Sequence, residues 1–141
     1  MIVGVGLDLV DVGRWSRTLE RIQSRIFSTE ELARCAGRFD RIDALAARFA
    51  AKEACLKALS AGIHEGGLRQ IEIVSDASGA PLLRFTGALA DRVRARRVRS
   101  AHVSLSHEGG IAAAVVILEG TSKRSRRDGP LALETVVSGA W

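Results

Sequence analysis

The chain has 141 residues, enough for one modest core and too few for two independent domains. Lys and Arg total 21 against 16 Asp and Glu, and the formal charge of +5 favours an anionic partner or substrate without singling out nucleic acid. Cys35 and Cys55 lack the spacing of a clustered zinc site and read as buried reduced thiols of a cytoplasmic protein, while the absence of a signal-like N-terminus or a charge-free apolar run argues against secretion and a membrane span.

Ile2 to Val10 predicts a strand with Val3, Val5, Leu7 and Leu9 on one side and Ile2, Gly4, Gly6, Asp8 and Val10 on the other. Two glycines precede Asp8 on its own face, where missing side chains let a ligand or another backbone come close. The alternative is a packing need at Gly4 and Gly6, with Asp8 only capping the strand end. Arg14 to Ile26 predicts a helix whose Trp15, Leu19, Ile22 and Ile26 form the core face. Its other side carries Arg14, Arg17, Arg21 and Arg25, opposed only by Glu20; such a strip is either solvated or pairs with carboxylates or phosphates of a partner. Ser28 then caps a new helix near Glu31.

The central helix is expected from near Asp43 to just before Gly62, with Leu45, Phe49, Leu56 and Leu59 in one sector. Lys52 falls inside that sector, and Glu53 sits on its edge one turn before Lys57. Buried charges without partners shift their pKa or destabilise the fold, so these groups should line a polar cleft or meet counter-ions. A Glu53–Lys57 surface pair is the simpler alternative. Asp8 and Glu53 together offer hard oxygen donors suited to magnesium, which keeps waters and binds substrate phosphates.

Past Gly62, His64 reads as an ordinary loop histidine. Leu68 to Val74 and Pro81 to Phe85 predict a hairpin that turns at Asp76 to Gly79. Leu89 to Val98 predicts a short helix dense in arginine, with Arg92, Arg94, Arg96, Arg97 and Arg99. No aromatic stacking platform accompanies those arginines, since the chain has 4 Phe, 2 Trp and no Tyr, and this argues against nucleic acid. His102 to His107 predicts a strand with Val103 and Leu105 on one side and His102, Ser104 and Ser106 on the other. Through His107-Glu108-Gly109-Gly110 it leads into Ile111 to Leu118, apolar enough to be central in a sheet. Ser106 and His107 point to opposite faces and lie in no Gly-x-Ser-x-Gly elbow, so hydrogen bonding to a phosphorylated ligand suits them better than hydrolysis. The turn-rich segment from Gly120 places a domain over 1–119 and a flexible extension over 120–141, with Leu131 to Val137 loosely held.

Three blocks together resemble a known family: Gly4-Val5-Gly6-Leu7-Asp8-Leu9-Val10-Asp11-Val12 with Arg14, Arg48-Phe49-Ala50-Ala51-Lys52-Glu53-Ala54 with Lys57, and His102-Val103-Ser104-Leu105-Ser106-His107. Over about residues 1–119 the chain resembles a holo-acyl carrier protein synthase, the short trimeric type of 4'-phosphopantetheinyl transferase. The resemblance implies an α+β fold with a long central helix packed on an antiparallel sheet, assembled as a homotrimer. It also implies transfer of the phosphopantetheine arm of coenzyme A to a serine of an apo acyl carrier protein, releasing adenosine 3',5'-bisphosphate and serving fatty acid biosynthesis. Carried over by motif, Asp8 and Glu53 would hold magnesium against the pyrophosphate. Glu53, directly or through a water, would accept the serine proton, and Lys57 would steady the pyrophosphate or the leaving group. Arg48, Lys52, Ser106 and His107 would contact coenzyme A, with Ser106 and His107 supplied across a subunit interface and Lys52 in a polar intersubunit groove. Arg14, Arg17, Arg21 and Arg25 would dock the acidic carrier. A non-catalytic module that binds coenzyme A or the carrier protein is the alternative. Asp11, where the family often has glutamate, Glu108, and the long segment after Gly120 depart from the family pattern without replacing a site residue.

Overall fold

The first and last strands among the described residues meet. In the computed structural model, which describes residues 1–62 and 67–121, β1 (Ile2–Asp11) pairs antiparallel with β5 (Ile111–Gly120), and β5 pairs with β4 (Val98–Glu108). The sheet order is β1-β5-β4, so the apolar run is central as expected. Gly109 and Gly110 close the β4–β5 hairpin at φ of 58° and 80°, the left-handed pair that a two-residue turn between right-twisted strands requires. Ala112, Ala114, Val116 and Leu118 of β5 face inward and are buried.

Against that inner face lies α4 (Arg41–Ala58), the long central helix. Gly4 and Gly6 decide how closely it packs. A Cβ on Gly4 would stand 2.1 Å from the Ala58 carbonyl oxygen, and one on Gly6 would stand 1.8 Å from that of Ala54. The glycines therefore admit another backbone. Strand and helix run in opposite directions along this seam, which leaves Asp8, two residues past Gly6, beside α4.

Between β1 and α4 come α1 (Val12–Ser16), α2 (Leu19–Ile26) and α3 (Thr29–Cys35). The single helix expected over Arg14 to Ile26 is divided, because Asp11 caps α1 at the Arg14 amide and Thr18 turns both its amide and its hydroxyl to the Trp15 carbonyl. Its apolar face survives the break: Trp15, Leu19 and Ile26 are buried, and the Trp15 ring packs at 5.5 Å from Phe49 and edge-on at 6.3 Å from Phe27. At α3, Ser28 and Glu31 form the reciprocal capping box.

The second sheet is the hairpin β2 (Ile71–Ser75) and β3 (Pro81–Phe85). Leu68–Gln70, expected to open its first strand, instead winds into a 3-10 turn. The tight turn is held by Asp76, whose Oδ1 accepts from the Ser78 amide, the Ser78 hydroxyl and the Ala80 amide. Helix α5 (Gly87–Ala95) follows, and its arginines have a structural task. Arg92 and Arg96 both donate to the Leu59 carbonyl at the end of α4, and Arg96 also reaches the Val3 carbonyl of β1 at 2.7 Å. Carbonyls left open at a helix C-terminus are thus met by guanidinium groups, whose charge also suits the helix dipole.

Cys35 and Cys55 are free and buried, and burial raises the pKa of both thiols. Among the described residues no helix is long and apolar enough to cross a membrane. His64 and the extension beyond Thr121, including Leu131 to Val137, lie outside the described residues.

Candidate active site

Asp8 and Lys57, distant in sequence, are in direct contact. The Lys57 ammonium donates to Asp8 Oδ1 at 2.7 Å and to the Leu7 carbonyl at 2.9 Å. One turn earlier on α4 lies Glu53, half-buried and close enough for the Asp8 charge to act on it. Burial first, then Asp8, raise the Glu53 pKa above the usual carboxylate range, and Lys57 partly offsets them. The Glu53 carboxylate has neither a hydrogen bond nor an ion pair among the described residues. The simpler alternative, a Glu53–Lys57 surface pair, does not form; Lys57 pairs with Asp8 instead.

Two neighbouring carboxylates, one of them half-buried and unpartnered, suit a divalent cation. No group of three or more His, Cys, Asp or Glu able to hold a metal occurs among the described residues. Asp8 and Glu53 thus fit an ion that takes few protein ligands and completes its shell with water and phosphate oxygens, as magnesium does.

Lys52 is placed elsewhere than expected. It is 0% exposed, and its ammonium donates to the Ile26 carbonyl at 2.6 Å, Glu31 Oε2 at 2.7 Å and the Leu68 carbonyl at 3.2 Å, with the Phe27 ring 5.0 Å away. All three of its donors are engaged inside the chain, so it has none for a phosphate and lines no polar groove. Desolvation lowers its pKa, and Glu31 works against that shift. Glu31 is the residue that sequence reasoning missed. Its place in a capping box was legible, but its second oxygen, which accepts from the Ile73 amide at 3.0 Å, and its lysine partner were not.

The remaining expected residues fall into three groups. Arg48 is half-buried, donates from Nη1 to the Ala44 carbonyl, and leaves its buried Nε without a partner. Ser106 and His107 are exposed at the end of β4, where His107 Nε2 stands 3.8 Å from Asp40 Oδ2. Asp40 is itself gripped by Arg38 at 2.8 and 2.7 Å, which holds its carboxyl below the usual range. Arg14, Arg17, Arg21 and Arg25 are exposed, and their guanidiniums make no hydrogen bond or ion pair among the described residues. The outer face of the sheet is apolar and bare in the single chain: Val5, Leu7 and Leu9 are more than half exposed beside Ala113, Val115 and Ile117.

Residues 4–116 match the 4'-phosphopantetheinyl transferase superfamily. A holo-[acyl-carrier-protein] synthase of Anaeromyxobacter sp. strain K is 46% identical over 129 residues, which cover 86% of this chain and 98% of that protein. The crystal structure of the holo-[acyl-carrier-protein] synthase from Neisseria meningitidis is similar at a TM-score of 0.76 with 34% identity, over 84% of this chain and 99% of that one. The Helicobacter pylori synthase, crystallised in complex with coenzyme A, is similar at a TM-score of 0.71 with 30% identity, over 82% of this chain and 99% of that one. Fold and similarity agree: the chain belongs to the 4'-phosphopantetheinyl transferase superfamily, among the holo-[acyl-carrier-protein] synthases.

Proposed function

We propose that this chain transfers the 4'-phosphopantetheine arm of coenzyme A to a serine hydroxyl of an apo acyl carrier protein. The observation that carries the reading is the meeting of Asp8 on β1 with Glu53 and Lys57 on α4, in a chain of this family. The serine Oγ attacks the phosphorus that bears the pantetheine, a new O–P bond forms, and the bridging P–O bond breaks to release adenosine 3',5'-bisphosphate. Glu53 accepts the serine proton. Its burial makes it a stronger base than an exposed carboxylate, and a positioned base contributes about 10²–10⁴-fold. The Lys57 ammonium, on an exposed and flexible stem, meets the charge that grows on the departing phosphate. Asp8 and Glu53 are the residues that would hold magnesium, which when bound supplies charge neutralisation at the diphosphate.

Arg14, Arg17, Arg21 and Arg25 form the surface that steers an acidic carrier and holds its serine near the arm. Arg48, Ser106 and His107 are assigned to coenzyme A. Copies of the chain cover the bare face of Val5, Leu7 and Leu9 as a homotrimer, and this assembly brings Ser106 and His107 of one copy beside Asp8 and Glu53 of the next.

The test is intact-mass measurement of an apo acyl carrier protein after incubation with the full chain, coenzyme A and magnesium. A gain equal to the phosphopantetheine arm is expected, and it should vanish with Glu53→Gln while that variant stays folded. Coenzyme A binding with no transfer to any acidic carrier would overturn the reading in favour of a non-catalytic binding module.

A further inference from the structure

The carboxylate oxygen that a divalent ion would need is already held by an ammonium group. Lys57 Nζ lies 2.7 Å from Asp8 Oδ1, and a second bond to the Leu7 carbonyl fixes it over that oxygen. The Lys57 side chain is 54% exposed against 17% for Asp8, so the lysine can swing outward while the acid cannot. The neighbouring carboxylate is that of Glu53, and it has no partner among the described residues. A metal ion approaching the free protein therefore meets two carboxylates, one of them neutralised, and a like charge beside it.

A diphosphate changes each of these conditions. It brings oxygen ligands for the cation and, at the same time, a new anion for the lysine. We propose that Lys57 is an exchangeable counter-ion that keeps divalent metal off the Asp8–Glu53 pair until a diphosphate arrives, so that metal and diphosphate bind as a coupled pair. This rests on the assignment of Asp8 and Glu53 as the metal-holding residues. Because Lys57 leaves Asp8 only when phosphate oxygens can receive it, each ligand tightens the other by the same factor, as linkage requires. The lysine thereby has two successive partners: Asp8 in the free protein and the substrate phosphate during transfer.

The test is titration of the full chain with Mn²⁺, with free Mn²⁺ read by electron paramagnetic resonance, in the presence and absence of coenzyme A. Wild type is expected to bind Mn²⁺ weakly alone and about a hundredfold more tightly with coenzyme A. Lys57→Met, a change at an exposed position, should bind Mn²⁺ alone about tenfold more tightly than wild type, and its response to coenzyme A should shrink. Mn²⁺ affinity in Lys57→Met no higher than in wild type without coenzyme A, or a wild-type affinity indifferent to coenzyme A, would overturn the proposal. Asp8→Asn separates this from the underlying assignment: Mn²⁺ binding with coenzyme A should be lost, and its survival would remove Asp8 from the metal site altogether.

Discussion

The Lys52 ammonium lies 2.7 Å from the Glu31 carboxylate, and both side chains are sealed from solvent. Through their other bonds they join the end of α2, the cap of α3, the turn before β2 and β2 itself to α4, one residue before Glu53. Lys52→Met leaves a buried carboxylate without its counter-ion and should cost about 3–5 kcal/mol, read as a lower urea midpoint. Adding Glu31→Leu to it should cost less than the two single changes summed, because the second removes the charge that the first exposed.

Gly6→Ala places a methyl against a helix backbone that cannot rotate away. A loss of about 1–3 kcal/mol is expected in thermal unfolding. Gly13→Ala, where the nearest atom to the added carbon is Asp11 Oδ1 at 3.6 Å, is the matched control and should have a much smaller effect.

Reversing charge on α2 tests the proposed docking surface. Arg21→Glu with Arg25→Glu should raise KM for the carrier protein at least about tenfold at low salt, leave KM for coenzyme A unchanged, and flatten the dependence of carrier KM on ionic strength.

Assembly is tested on the outer face of β1. Leu7 stands opposite Val115 in the strand register, at the middle of the bare apolar surface. Leu7→Asp should convert the proposed homotrimer to monomers in sedimentation equilibrium and reduce transfer with it, while the far-ultraviolet circular dichroism of the chain is retained.

A pH prediction follows from the β2–β3 turn. Hydrogen bonds from Ser78, chiefly its hydroxyl, lower the Asp76 pKa below the ordinary range. A depressed folded-state pKa gives stability that is present above the unfolded value of about 3.9 and is lost as pH falls through the lower folded value. Asp76→Asn should therefore lower Tm at neutral pH, and the gap to wild type should close as pH falls through the lowered folded-state value.

Periodicity was enough for the sheet, its central strand and the long helix, because inward and outward residues alternate there in one register. It failed at Thr18, where a side-chain hydroxyl competes with the helix for the Trp15 carbonyl, and at Leu68–Gln70, where a 3-10 turn serves as an acceptor for Lys52. For the site, the glycines ahead of Asp8 and the Glu53–Lys57 spacing were readable. Which acid Lys57 would choose was not, since that depends on a strand 49 residues away. Lys52 was rightly singled out as a charge in an apolar sector, yet of the two remedies for such a charge, an open cleft or a buried counter-ion, the chain uses the second.

The strand that carries Asp8 is at the edge of its sheet, and its neighbour is the last strand among the described residues, with Met1 and Gly120 bonded to each other. Asp8 can meet Lys57 once α4 has formed, but β1 has no sheet neighbour among the described strands until β5 has been made. A product truncated within β5 would have no means of closing the sheet around β1.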